Sequence, residues 1–128
     1  MSVVAVLESR NGKLAGISRE TAGAAVALAG QLNEEAEVLV LGKQTSDIAQ
    51  EAASIPGVGK VWAVEHDLLE RYSPEGYVKA LSDFLKAQAP HYVLFPHTYQ
   101  VRDFAPRLAT RFNQTLVSDV TGIRAEGG

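Results

Sequence analysis

The chain has 128 residues, 46% of them apolar, enough for one packed core in one domain. Its 12 basic side chains against 15 acidic ones leave a net charge of −3, which argues against a nucleic-acid surface of clustered Lys and Arg. Cysteine is absent, which removes disulfide scaffolds, thiolate metal sites and cysteine nucleophiles and fits a cytoplasmic protein.

The first residues, MSVVAVLES, carry no basic region and no long apolar stretch, so they do not read as a signal or transit peptide. No apolar run nears the roughly 20 residues of a membrane span, so no membrane insertion is expected. Val3 to Leu7 is a continuous apolar run, and Asn11-Gly12 marks a turn after it. Ser18 reads as the N-cap of an alanine-rich helix reaching Leu32. A second apolar run, Val38 to Leu41, precedes a helix capped by Thr45 or Ser46 and stopped by Pro56-Gly57.

Val61 to Val64 is the third run. The helix after it has the clearest start, with Ser73 as N-cap, Pro74 at the first helical position and Glu75 suited to the dipole. Its Tyr77, Val78, Leu81, Phe84 and Leu85 share one face, and Pro90 stops it. Tyr92 to Phe95 is the fourth run. Asp103 reads as the N-cap of the helix that follows, with Pro106 in its first turn and Phe104, Ala105, Leu108, Ala109 and Phe112 as its apolar arc. A fifth strand-like run starts near Leu116 and runs into Glu126-Gly127-Gly128, which reads as a turn without its return strand. The sequence therefore reads as the front part of a longer protein, or as a chain ending in a loop.

Continuous runs rich in β-branched residues mark strands buried on both faces, as in a parallel sheet. Their alternation with helices implies a three-layer, doubly wound α/β fold, and the strand order 3-2-1-4-5 is the expected one.

No G-x-G-x-x-G follows the first strand, and no Walker-type phosphate loop exists. Pro56 to Lys60 (PGVGK) precedes a strand, so it reads as plain turn. His66 and His97 both follow strands, but those strands are not neighbours in the expected order, which opposes a shared metal site. No G-x-S-x-G elbow is present. Ser118 and Asp119, adjacent in a strand, point to opposite faces. They read either as edge polar groups or as a contact surface for a partner.

Doubly wound sheets bind ligands beyond the carboxyl ends of their strands, where the strand order reverses. The loop from Pro96 to Arg102 belongs there, which makes His97, Thr98, Arg102 and Asp103 crevice candidates. Two readings compete. An anionic group docks on the helix N-terminus beside Arg102, or Asp103 caps that end and Arg102 offsets its charge. Arg102 and Arg107 are also candidates for holding a partner subunit. A small adenine-nucleotide module using the loops after the first and fourth strands is the alternative function.

Residues Val101 to Ile123 resemble a recurring segment of the electron transfer flavoprotein α-subunit. That family shows G-R-D, then P-R two residues later, then a small/apolar helix and L-V-S-D-V. Arg102-Asp103, Pro106-Arg107 and Leu116 to Val120 match it, and Val101 departs from the usual glycine. The opening strand with acidic Glu8, the alanine-rich helix, VLVLGK and GVGKVWAVEHDLLERYSPE resemble the family in the same order. The resemblance implies a Rossmann-like domain of the adenine-nucleotide α-hydrolase type. These 128 residues would be the N-terminal domain, without the C-terminal domain that carries most of the FAD site. It implies a non-enzymatic electron carrier, with no cofactor expected in this stretch. It also implies a β-subunit partner, with flavin dehydrogenases reached through the complex. Arg107, Ser118 and Asp119 are the partner-interface candidates.

Overall fold

A computed structural model describes residues 2–10 and 12–111. Four strands form a parallel sheet: β1 (Ser2–Val6), β4 (Glu35–Gly42), β5 (Lys60–Glu65) and β6 (Tyr92–Leu94), in the order β5-β4-β1-β6. The expected order of the first four strands is therefore the observed one. A two-residue-per-strand hairpin, β2 (Ser9–Arg10) with β3 (Lys13–Leu14), follows β1, and Gly12 takes a φ of 78° at its tip. Helices α1 (Gly16–Leu32), α2 (Ser46–Ala53), α3 (Pro74–Gln88) and α4 (Tyr99–Arg111) cover the sheet, with a short 3-10 turn at Asp67–Leu69.

Alternation along the strands splits the core into two layers. Val3, Ala5, Val38 and Val40 pack against Ala22, Ala25, Leu28 and Ala29 of α1 and Ile48 and Ala52 of α2. Val4, Val6, Leu39 and Leu41 face Val78, Leu81 and Phe84 of α3 and Phe104, Ala105 and Leu108 of α4. The first layer is made mostly of small side chains, which lets α1 sit close to the sheet. The second is aromatic. Its Trp62 meets Phe84 edge-on at 5.5 Å and donates its indole N–H to Glu37 Oε1 at 2.7 Å. That bond is what permits the Glu37 carboxylate, on the central strand β4, to be buried.

Helix α3 starts as its sequence dictates, with Ser73 Oγ accepting from Gly76 N–H at 3.1 Å and Pro74 in the first turn. Other expectations are corrected. Ser18 is not a cap: α1 begins at Gly16, and Ser18 is fully buried inside the helix. Its hydroxyl donates to Glu8 O at 2.9 Å and accepts from Glu8 N–H at 2.7 Å, so the end of β1 consumes it. Asp103 is not a cap either. Helix α4 begins at Tyr99, and Thr98 satisfies its first donors, with Oγ1 accepting from Val101 N–H at 3.2 Å and its carbonyl from Arg102 N–H at 3.0 Å. Pro106 consequently lies inside the helix, not in its first turn, and leaves the Arg102 carbonyl without its helical donor. At α2 the cap position falls on Thr45, but its hydroxyl donates to Glu65 Oε2 at 2.9 Å instead of capping.

The expected fifth strand from Leu116, with Ser118, Asp119 and the terminal glycine turn, lies outside the described residues, as do Asn11 and Phe112.

Candidate functional site

The strand order reverses between β1 and β6, because the chain winds from β1 outward to β4 and β5, then returns beyond β1. The segments leaving these two strands meet at that point. Thr98 Oγ1 donates to Glu8 Oε1 at 3.0 Å. The hydroxyl thus serves twice, as cap acceptor for α4 and as donor to the carboxylate. Glu8 is 9% exposed. Its Oε2 is buried and accepts no hydrogen bond among the described residues, and Arg10 Nη2 stands 3.7 Å away.

Beside this bridge Arg102 turns back onto the preceding loop. Its Nε and Nη2 both point at His97 Nε2, at 3.0 and 2.6 Å. A guanidinium can only donate, so Nε2 is the acceptor in this contact. Tyr99, 84% exposed, lies with its ring centroid 6.0 Å from the Arg102 guanidinium carbon.

Asp103 faces away from this cluster. Its Oδ2 accepts from the Tyr72 hydroxyl at 2.7 Å, and the same hydroxyl lies 3.2 Å from Gln100 O. Burial first, and then the hydrogen bond to Asp103, hold the Tyr72 hydroxyl protonated well above the ordinary phenol range. Tyr77, packed edge-on against Tyr72 at 5.1 Å, is raised in the same direction by burial and by the Glu8 charge. Arg107 pairs with Glu75 of α3 at 3.5 Å, both groups exposed.

A cavity of about 380 Å³ opens over the carboxyl ends of β1 and β4. Its walls include Ser9, Lys43, Glu70, Tyr72, Tyr77 and Gln100. Lys43 pairs with Glu70 at 3.6 Å across it. The fold therefore gathers His97, Thr98 and Arg102 at one place, sends Asp103 and Arg107 to contacts with the α3 side, and leaves Ser118 and Asp119 undescribed. Sequence reasoning missed Tyr72, whose partner lies 31 residues away, and the contact between Glu8 and Thr98, which lie 90 apart. For the second pair a signal existed: both follow strands that flank the reversal point.

Residues 3–128 match the family model described as the electron transfer flavoprotein domain. The chain belongs to the electron transfer flavoprotein family. Among curated relatives, the electron transfer flavoprotein subunit alpha of Thermoanaerobacterium thermosaccharolyticum is 34% identical over 116 residues, covering 91% of this chain and 35% of that protein. The Bacillus subtilis subunit alpha is 30% identical over 128 residues, covering 98% of this chain and 38% of the relative. The Mycobacterium tuberculosis subunit alpha is 32% identical over 126 residues, with the same coverage. The chain thus spans little more than a third of the length of the curated relatives it matches. The resemblance read from the motifs around Arg102, Pro106 and Leu116 is the one these comparisons give. Among the described residues, no helix is long and apolar enough to cross a membrane.

Proposed function

We propose that this chain is the N-terminal scaffold and subunit-interface domain of an electron transfer flavoprotein α-subunit. In this reading the parent pairs with a β-subunit in the cytoplasm and carries electrons from flavin dehydrogenases to an acceptor through FAD. The domain contributes a rigid sheet and a contact surface; the flavin supplies the redox chemistry when bound.

The observation that carries the reading is the state of the crevice. A pyrophosphate-bearing cofactor needs backbone donors or cations where β1 meets its helix. Here that position holds the buried Glu8 carboxylate, closed over by Thr98. The adjoining cavity carries a second carboxylate, Glu70, already paired with Lys43. These residues do not fit FAD, which supports the reading that the flavin is held by another part of the parent protein. Titrating residues 1–128 with FAD tests the assignment through quenching of flavin fluorescence. No saturable quenching is expected, and tight one-to-one binding overturns it.

A further inference from the structure

We infer that Arg102, braced by His97 and flanked by Tyr99, is the anchor of this domain for a carboxylate on the partner subunit. This rests on the two-subunit reading above and adds to it a residue and a chemistry.

Arg102 is exposed and has no carboxylate within ion-pair distance among the described residues, whereas Arg19 and Arg107 on the same molecule are each paired with a glutamate. Its side-chain hydrogen bonds among those residues go to the His97 ring nitrogen and not to a carboxylate. The two bonds to His97 use Nε–H and one Nη2–H. Three of the five guanidinium N–H groups remain, all on the two terminal nitrogens. Those nitrogens form the end-on fork that matches a carboxylate bidentately. Because His97 already fixes the guanidinium plane, little further side-chain freedom is lost on binding. Tyr99 is the most exposed of the large apolar side chains among the described residues, and it sits in the same helical turn. An exposed tyrosine beside a preordered arginine is the composition of an interface hot spot, where the ring covers the charged contact from water. The chemistry selects an acidic protein surface. A phosphate-bearing small molecule would also have to approach Glu8 and Glu70 at this edge of the sheet.

The test uses the full-length α-subunit with its β-subunit and measures the dissociation constant by titration at low and high salt. Arg102→Gln and Tyr99→Ala are each expected to weaken association tenfold or more, with Arg102→Lys in between, because a point charge keeps attraction but loses the fork. Arg102→Gln is also expected to flatten the salt dependence, while the charge-matched control Lys86→Gln shifts the constant less than threefold. Thermal unfolding of each variant alone is expected to be unchanged, since both side chains are exposed. If the wild-type subunits associate and Arg102→Gln is as tight with the same salt slope, the anchor is wrong and the two-subunit reading stands. If the wild-type subunits do not associate at all, both fail.

Discussion

The hydroxyl of Thr98 donates to Glu8 Oε1 at 3.0 Å and, through the same oxygen, accepts from the first turn of α4. One side chain thereby ties the end of β1 to the start of a helix 90 residues further along the chain. Thr98→Ala is expected to cost about 1–2 kcal/mol, because it removes a helix cap and leaves a buried carboxylate oxygen without its donor. Thr98→Ser should recover most of that. Urea denaturation of wild type, both variants and Glu8→Gln measures it, and the Glu8/Thr98 double variant should be clearly non-additive. Simple additivity would mean the bond carries no coupling.

Tyr72→Phe removes the donor to Asp103 and should lower stability by about 1 kcal/mol at neutral pH, discounted for the exposed carboxylate. The phenol is raised above its ordinary 10.0 in the folded state, so its contribution is fully present below that value and is lost as pH rises through the folded one. The gap between wild type and variant should hold from neutral pH to about pH 10 and then narrow. Denaturation midpoints across that range decide it, and a gap that widens with pH contradicts the sign.

Glu65 behaves oppositely. The Thr45 backbone N–H, then the Thr45 hydroxyl, hold its carboxyl below the usual 4.5. A depressed carboxylate contributes stability above its unfolded value and loses it as pH falls through the folded one. Wild type should therefore lose stability more steeply than Glu65→Gln below about pH 5. Parallel acid titrations of the two proteins, followed by circular dichroism, would remove Glu65 from the account.

Gly57 takes a φ of 89°, and a Cβ there would stand 2.5 Å from Val26 Cγ1 on α1. Both the backbone and the packing oppose a side chain, so Gly57→Ala should cost about 1–3 kcal/mol. Pairing it with Val26→Ala should return only the steric part. A Gly57→Ala protein as stable as wild type would show that the turn relaxes freely.

The fold was legible because its signals are local and repeated: four continuous apolar runs separated by helical spacing give a parallel sheet of known winding. The errors share one cause. Ser18 and Asp103 have the residue types of helix caps, yet each is used by a distant group, Glu8 in one case and Tyr72 in the other. Local propensity cannot register a partner that only the fold supplies. Thr98 shows the converse, since its role needs both its own helix and Glu8. His97 and Arg102, five residues apart, were candidates from the sequence because their segment follows the strand at the reversal point; their contact joins the loop to the first turns of α4. The β2–β3 hairpin has only two residues per strand, too short for any alternation to show.

The protein has a single tryptophan, and it belongs to the aromatic layer, not the small-residue layer on the other face of the sheet. Trp62 touches Phe84 of α3 and hydrogen-bonds to Glu37 in the middle of the sheet. Its emission is therefore a built-in optical probe of one side of the molecule. Loosening of α3 and its neighbour α4 will alter the signal directly, while loosening of α1 will reach it only through the sheet. Comparing fluorescence with circular dichroism during unfolding would thus reveal whether the two faces melt as one unit or in sequence.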